Sequence, residues 1–260
     1  VSTETVIFCR YSIAVILLGV YLLVKKESFK INLKQAGVLL ALGLLFTASS
    51  TLLFDAYKYI ASGLATTLVF LFPVLVAIIM VFLKVVPSWP VWLSIAATFA
   101  GVVIMTGGGE GESISPLGIW LSIGSAFVYA LFIVVINRSK AISSISNSLL
   151  TFYALSVGAV IFFTRSITSG SELMTGLDSG TAWMNLVGLA VFPTIVSTAT
   201  LAIATRNIGA TKASVLGVFE PITAILVGTL VFGEALTPNI VIGILISVVA
   251  VTLMIMLTKR

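Results

Sequence analysis

Residues 62–83 read SGLATTLVFLFPVLVAIIMVFL, a run of 22 residues without a charged side chain. A helix that crosses the hydrocarbon core of a bilayer needs about 20 predominantly apolar residues. Pro73 lies near the middle of this run and removes one backbone N–H donor from the helix. The stretch therefore predicts a membrane-spanning helix with a kink, and the rest of the chain shows the same kind of run.

Apolar runs of spanning length occur nine times, separated by short breaks that contain charged or turn-forming residues. Of the 260 residues, 59% are hydrophobic and 9% are charged, whereas soluble domains are about 45–50% apolar and about 25% charged. We therefore predict an all-α integral membrane protein and exclude a soluble enzyme, a disordered chain and an outer-membrane barrel. The nine predicted spans are 5–24, 36–54, 62–83, 88–106, 116–137, 147–165, 182–204, 211–232 and 238–257.

The inventory of reactive side chains is small, with no histidine and a single cysteine, Cys9. A histidine-based triad, a histidine zinc site and an internal disulfide are therefore excluded. The net charge of +5 comes without a basic run interleaved with aromatics, so we expect no nucleic-acid partner. We expect no catalytic residue, cofactor or metal. The expected partners are the lipid bilayer and a small-molecule substrate, with proton coupling and the choice between monomer and homodimer left open.

Basic residues are distributed unevenly between the two sides of the membrane. Loops on the side that holds residue 1 contain two of them, Lys58 and Arg165, and loops on the opposite side contain eleven. Because basic loops remain in the cytoplasm, we predict that the C-terminus is cytoplasmic in a plasma or inner membrane. The eleven are Lys25, Lys26, Lys30, Lys34, Lys84, Arg138, Lys140, Arg206, Lys212, Lys259 and Arg260.

The chain also resembles itself after a shift of 148 positions. The stretch AYKYIASGLA at 56–65 then falls on ATRNIGATKA at 204–213, and Pro73 falls on Pro221. An odd number of predicted spans separates the copies, so the two copies face opposite sides of the membrane. Such inverted repeats are typical of secondary transporters, although a chance alignment of two hairpins is the alternative. The predicted repeats are 1–109 and 110–260.

Four stretches together resemble the EamA-type branch of the drug/metabolite transporter superfamily. They are FCRY at 8–11, the hairpin from 56 to 73, its counterpart from 204 to 221, and FGEALT at 232–237.

The resemblance covers essentially the whole chain and implies a ten-helix bundle of five plus five helices. The nine spans would be the second to the tenth of these, because the family's first helix has no counterpart here. Val86 is a second departure, since it stands near where the first half would carry the equivalent of Glu234.

The same resemblance implies a secondary transporter that exports small organic metabolites such as amino acids by alternating access. Two other functions remain open at this point. An intramembrane enzyme would need a clustered nucleophile and base, for which the polar inventory is thin. A non-transporting, truncated membrane protein is the other, because the absent helix would line the central cavity.

Glu220 is the only acidic residue well inside a predicted span. A charged side chain at the centre of a bilayer costs about 2.5–3.5 kcal/mol on insertion scales. The position of Glu220 inside a span therefore predicts one of two roles. Its carboxylate either contacts a substrate amine or couples transport to protons. The alternative is a neutral Glu that is hydrogen-bonded to a neighbouring helix.

Arg10 lies near the outer end of the first span, where two interpretations are about equal. Its guanidinium is suited to hold a substrate carboxylate with two parallel hydrogen bonds, or it extends to the outer headgroups. Asp55 and Lys58 stand three residues apart at a helix end and predict a local ion pair.

Further candidates line or shape the predicted cavity. We expect Pro73 and Pro221 to kink their spans toward the transport path, the alternative being kinks that are packed among neighbouring side chains. Ser88 and Thr237 precede prolines and predict helix starts. Candidate lining residues, whose alternative is contact with lipid, are Ser50, Phe72, Trp120, Tyr129, Tyr153 and Ser197. Glycines expected to allow close helix packing are Gly37, Gly43, Gly101, Gly188, Gly228 and Gly243.

Overall fold

A computed structural model describes residues 3–60, 62–106, 115–168, 179–220, 222–223, 226, 230 and 237–257. A 3₁₀ turn spans Lys140–Ile142, and a π-helical segment spans Val191–Val196. The α-helices are α1 (Thr3–Val24), α2 (Leu33–Ala56), α3 (Ser62–Val69), α4 (Phe72–Phe82), α5 (Trp89–Thr106), α6 (Pro116–Arg138), α7 (Asn147–Thr168), α8 (Gly180–Ala190), α9 (Ser197–Ile208), α10 (Ala210–Leu216) and α11 (Pro238–Leu257).

The predicted all-helical membrane fold is confirmed in the described residues. Seven segments are long and apolar enough to cross a membrane, and α5 supplies a shorter apolar helix at Trp89–Ile104. These eight segments coincide with eight of the nine predicted spans, and the ninth, 211–232, lies partly outside the described residues. Helices result because the hydrocarbon core offers no water to the backbone, so each N–H and C=O group must find a partner within its own segment.

Polar side chains define several helix starts. Asn32 and Gln35 form a capping box before α2, in which each side chain accepts a hydrogen bond from the other's backbone N–H at 2.8 and 2.9 Å. The Thr237 hydroxyl accepts from the Ile240 N–H at 3.4 Å as α11 begins. Together with the start of α5 directly after Ser88, this confirms both predicted starts.

The run at 62–83 is divided into two helices. α3 ends at Val69 and α4 begins at Phe72, so Pro73 occupies the first turn of α4. The missing N–H of proline needs no partner in a first turn. The expected kink is therefore a break between two helices rather than a bend within one.

Helix boundaries follow the shift of 148 that the sequence suggested. α3 and α10 begin at Ser62 and Ala210, which the shift superimposes. α5 and α11 begin at Trp89 and Pro238, within one residue of the same shift. The break after α3 has its counterpart in the end of α10 at Leu216.

The chain divides by packing into two compact units. The first unit comprises Val1–Thr47 and Arg138–Arg206, and the second comprises Ala48–Asn137 and Asn207–Arg260. Each unit takes helices from both predicted repeats. The division by packing therefore differs from the proposed boundary between residues 109 and 110.

In the first unit, α1 packs on α7 and α8, and its Tyr11 is fully buried. The Tyr11 ring contacts the rings of Phe46 and Phe162, with centroids 6.0 and 5.3 Å apart. Gly158 lies against its third side, where an added Cβ would come within 2.5 Å of Tyr11 Cε1. Glycine at this position thus lets α7 approach the aromatic ring directly.

Some of the glycines that were predicted to allow close helix packing do so, and others do not. A Cβ on Gly43 would lie 2.9 Å from the Ala154 carbonyl oxygen, and one on Gly101 would lie 2.7 Å from that of Gly243. The prediction is wrong for Gly37 and Gly188, because nothing lies within 4 Å of a Cβ at either. Gly228 is outside the described residues.

In the second unit, serine hydroxyls join neighbouring helices. The Ser49 hydroxyl on α2 donates to the Ser125 carbonyl at 3.2 Å, and the Ser125 hydroxyl on α6 donates to the Ser49 carbonyl at 2.8 Å. The Ser94 hydroxyl on α5 donates to the Ala250 carbonyl on α11 at 3.0 Å. Interhelical bonds of this kind contribute about 0.6 kcal/mol each in membranes.

Arg206 has a structural role that its repeat counterpart, Lys58, lacks. Its guanidinium donates to the carbonyls of Ile145 and Ile142 at 2.6 and 2.9 Å, which holds the connection between α6 and α7. Lys58 instead pairs with Asp55 at 2.7 Å, with 63% of its side chain exposed. This confirms the predicted ion pair.

Replacing Arg206 by Gln is expected to lower the free energy of unfolding by about 2 kcal/mol, because two carbonyls lose a charged donor. Lys58→Gln removes the same charge from an exposed pair and is expected to cost under about 1 kcal/mol. Unfolding midpoints of both variants in the same detergent compare them. Equal shifts would show that Arg206 does not stabilise the connection.

Candidate functional site

Three of the candidate residues meet in the second unit. Phe72 at the start of α4 packs edge-on against Tyr129 of α6, with ring centroids 5.1 Å apart. Phe132, one turn further along α6, stacks on Tyr129 at 6.0 Å. Glu220 joins them through its backbone, because its N–H donates to the carbonyl of Gly217, over which the Phe72 ring lies. We call Phe72, Tyr129, Phe132 and Glu220 the aromatic–carboxylate cluster.

Gly217 allows the cluster to form. The tip of the Phe72 ring lies over Gly217, where an added Cβ would be only 2.8 Å from Phe72 Cζ. Gly217 directly follows α10, and its carbonyl accepts the Glu220 N–H at 3.0 Å. The turn after α10 therefore brings the Glu220 backbone beside the aromatic rings.

Glu220 is the acidic residue of the cluster. Its side chain is exposed, whereas Phe72 and Phe132 are buried at 4% and 0% exposure. In the described residues the ion pair is that of Lys58 with Asp55, so Glu220 has no basic partner there. A carboxylate in an apolar span without a cation beside it is the arrangement expected of a ligand- or proton-binding group.

Arg10, in the first unit, is the other candidate charge. Its Nε is buried and has no hydrogen-bond partner among the residues described. Its guanidinium carbon lies 5.4 Å from the centroid of the Tyr11 ring. A buried donor left unpaired costs about 1–3 kcal/mol, so an incoming carboxylate would supply the acceptor that the described residues do not.

Tyr153 is placed apart from Arg10 within the same unit. Its hydroxyl donates to the Phe29 carbonyl at 2.7 Å, just beyond the end of α1. Arg10 lies near the start of α1, about 20 Å away along the helix. The structure therefore does not bring these two candidates together.

The remaining candidates differ in their exposure. Ser197 is exposed at the start of α9, Ser50 is half-buried on α2, and Trp120 is 70% exposed on α6. Pro73 is buried and lines a void of about 10 Å³, which is at most the space of one water. Pro221 lies outside the described residues, as does Glu234.

Phe132 and Gly217 were missed by sequence reasoning. Phe132 follows Tyr129 by three residues, and this helical spacing was the available signal that both lie on one face. Gly217 gave no signal beyond being small, because its importance depends on a ring contributed from 145 residues earlier in the chain. Among the described residues no group of three or more His, Cys, Asp or Glu is arranged to hold a metal.

Comparisons with known proteins agree with this architecture. A family model described as "EamA-like transporter family" matches residues 1–107 and 116–256. The chain is 25% identical over 214 residues to the "Uncharacterized transporter YvbV" of Bacillus subtilis (strain 168). That match covers 75% of this chain and 64% of the relative, so it spans less than two thirds of the relative's own length.

A solved structure described only as "Crystal structure of protein" superimposes with a TM-score of 0.86 over 99% of this chain and 90% of that chain. At 16% identity this likeness shows the fold alone.

Proposed function

The chain belongs to the EamA-like transporter family, and from that premise we propose that it exports small organic metabolites such as amino acids by alternating access. It is a multi-pass membrane transporter of the drug/metabolite type, with the lipid bilayer and a small molecule as partners. Membership of a transporter family points away from the intramembrane enzyme considered above.

The observation that carries the proposal is Glu220 in its cluster. A carboxylate that lacks a basic partner in the described residues is suited to bind a substrate ammonium by a charge-assisted hydrogen bond. Aromatic rings also attract cations within about 6 Å, and the Phe72 ring lies over Gly217 in the turn that leads to Glu220. Together these groups favour a substrate that carries an amine.

Glu220 also offers a route to proton coupling. One carboxylate binds either a proton or an ammonium ion, and the two exclude each other. If a proton binds to Glu220 on the side of the membrane where the amine is released, each transport cycle exchanges one proton for one amine. This exchange is the mechanism we propose for coupling.

Arg10 supports the carboxylate half of the substrate class. Its buried Nε lacks a hydrogen-bond partner among the described residues, and guanidinium groups bind carboxylates with two parallel bonds. Arg10 is therefore suited by itself to recognise the carboxylate group that an amino acid carries.

Export is proposed on the family resemblance alone, and the proposed orientation assigns the two faces of the membrane. Eleven basic residues in loops of one side against two on the other favour a cytoplasmic C-terminus in the plasma or inner membrane. Substrate would therefore enter from the side of the basic loops and leave on the other.

Untargeted metabolite profiling tests the proposal. Cells that express this chain are compared with cells that express Glu220→Gln and with empty-vector cells, using medium and cell contents. We expect at least one amine-bearing metabolite to accumulate in the medium with the unaltered chain only. Identical profiles in all three, with the protein shown to be in the membrane, would refute export.

A further inference from the structure

An open cleft of about 410 Å³ lies in the second unit and shares no lining residue with the aromatic–carboxylate cluster. It forms where α4 and α11 end and where α5 and α10 begin. Its walls include the exposed apolar side chains of Val86, Ile208 and Leu257. Its polar side chains are Ser88, Thr211 and Lys212. Small-molecule sites commonly have volumes of about 300–1,000 Å³, so the cleft is large enough for a ligand.

The cleft lies at the depth where hydrocarbon gives way to headgroups. Phe82 and Leu257 are the last residues of two membrane-spanning segments, and Trp89 begins the apolar helix α5. Trp89 is 70% exposed beside the cleft, as expected for the aromatic belt at a membrane interface. A ligand here would contact water at one end and acyl chains at the other.

The chain turns sharply at Lys84 to build one wall of the cleft. Lys84 has a φ of 61°, and the Val85 N–H beyond it donates back to the Met80 carbonyl at 2.9 Å. This left-handed residue ends α4 and directs Val85–Ser88 along the cleft.

Two lysines lie at the cleft among the residues that the structure describes. Lys212 lines it, and Lys84 is exposed on the adjoining turn. None of the described residues that line it is Asp or Glu. Basic pockets between spanning helices favour anionic headgroups.

We propose that this cleft binds an anionic phospholipid. The phosphate lies near Lys212 and the hydroxyls of Ser88 and Thr211, and the first acyl carbons pack on Val86 and Ile208. A free phosphate ion would leave these apolar walls without a partner. A zwitterionic lipid would bring its own ammonium toward the lysines, which is unfavourable.

Native mass spectrometry of the purified full chain in neutral detergent tests the proposal without any transport assay. The probes are phosphatidylglycerol, phosphatidylcholine and inorganic phosphate, each added alone. We expect phosphatidylglycerol to bind at least about tenfold more tightly than phosphatidylcholine, and phosphate not to be retained. The lysines should each contribute about fivefold to this affinity.

Two kinds of variant separate the cleft from general surface attraction. Lys84→Gln with Lys212→Gln removes the charge, and Val86→Trp fills the cleft without changing the charge. We expect about 25-fold weaker phosphatidylglycerol binding in the double variant and at least about fivefold in Val86→Trp. Lys30→Gln with Lys34→Gln, an equal change of charge at two exposed lysines of the first unit, is the control and should bind normally.

Each variant is used only if it elutes as a single species with an unfolding midpoint close to that of the unaltered chain. If the double variant fails this test, Lys212→Gln alone replaces it. Equal loss in the control pair, undiminished binding in Val86→Trp, or equal affinity for phosphatidylcholine would each overturn the proposal. Retention of inorganic phosphate as tight as that of the lipid would assign the site to the free anion instead.

Discussion

Transport is expected to fall at least about tenfold when Glu220 is replaced by Gln. The substitution keeps the shape of the side chain but removes its charge, and a charge-assisted hydrogen bond contributes about 1.5–3 kcal/mol, which corresponds to about a 10- to 150-fold change in binding. If the carboxylate also carries the coupling proton, the pH dependence of transport should flatten. Initial transport rates of the metabolite identified by profiling, measured across a pH series, give both readouts.

Asp55→Asn is the matched control for this experiment. Asp55→Asn also replaces a carboxylate by an amide, but Asp55 pairs with the exposed Lys58 at the end of α2. We expect transport within about twofold of the unaltered chain, since exposed ion pairs contribute about 0–1 kcal/mol. Unchanged rates and unchanged pH dependence in Glu220→Gln would show that Glu220 is structural and would remove the main support for the proposed substrate class.

Gly158→Ala is expected to destabilise the first unit by about 3 kcal/mol, at the upper end of the range for overpacking a filled core. The added Cβ would lie 2.5 and 2.7 Å from two atoms of the Tyr11 ring and 2.9 Å from Thr47 Oγ1. The ring has no room to move, because Tyr11 is fully buried between Phe46 and Phe162. Thermal unfolding in detergent, followed by tryptophan fluorescence, measures the shift of the midpoint.

Gly188→Ala makes the same substitution on α8 with nothing within 4 Å of the new Cβ. The higher helix propensity of alanine should leave this variant as stable as the unaltered chain or more so, by up to about 1 kcal/mol. A Gly158→Ala protein that unfolds at or above the midpoint of Gly188→Ala would contradict the packing described around Tyr11.

The helical segments could be predicted with good accuracy from local sequence. Twenty apolar residues without charge have few alternatives in a bilayer, and Asn32, Ser88 and Thr237 stand where helix starts require capping groups. The division of 62–83 was predicted as a bend at Pro73. The structure ends α3 at Val69 instead, because placing proline in a first turn leaves no carbonyl waiting for its N–H.

The candidate site was predicted only in part. Glu220, Phe72 and Tyr129 were selected because of their chemistry and their spans. The structure packs Phe72 against Tyr129 and over Gly217, whose carbonyl accepts the Glu220 N–H. Tyr153 was selected on the same grounds, yet its hydroxyl holds the Phe29 carbonyl. The sequence does not distinguish aromatic side chains on spanning helices from one another, because it does not show which neighbour each one faces.

Composition, run length and charge asymmetry are properties of the chain itself, so the sequence alone determined that this protein is a helical membrane protein. The shift of 148 was visible in sequence for the same reason, and the helix starts at Ser62 and Ala210 follow it. Only the tertiary structure decided that Arg206 holds the carbonyls of Ile142 and Ile145, and that Phe72 lies over Gly217. These contacts join residues far apart in the chain, and their partners are set by how helices pack rather than by any local pattern.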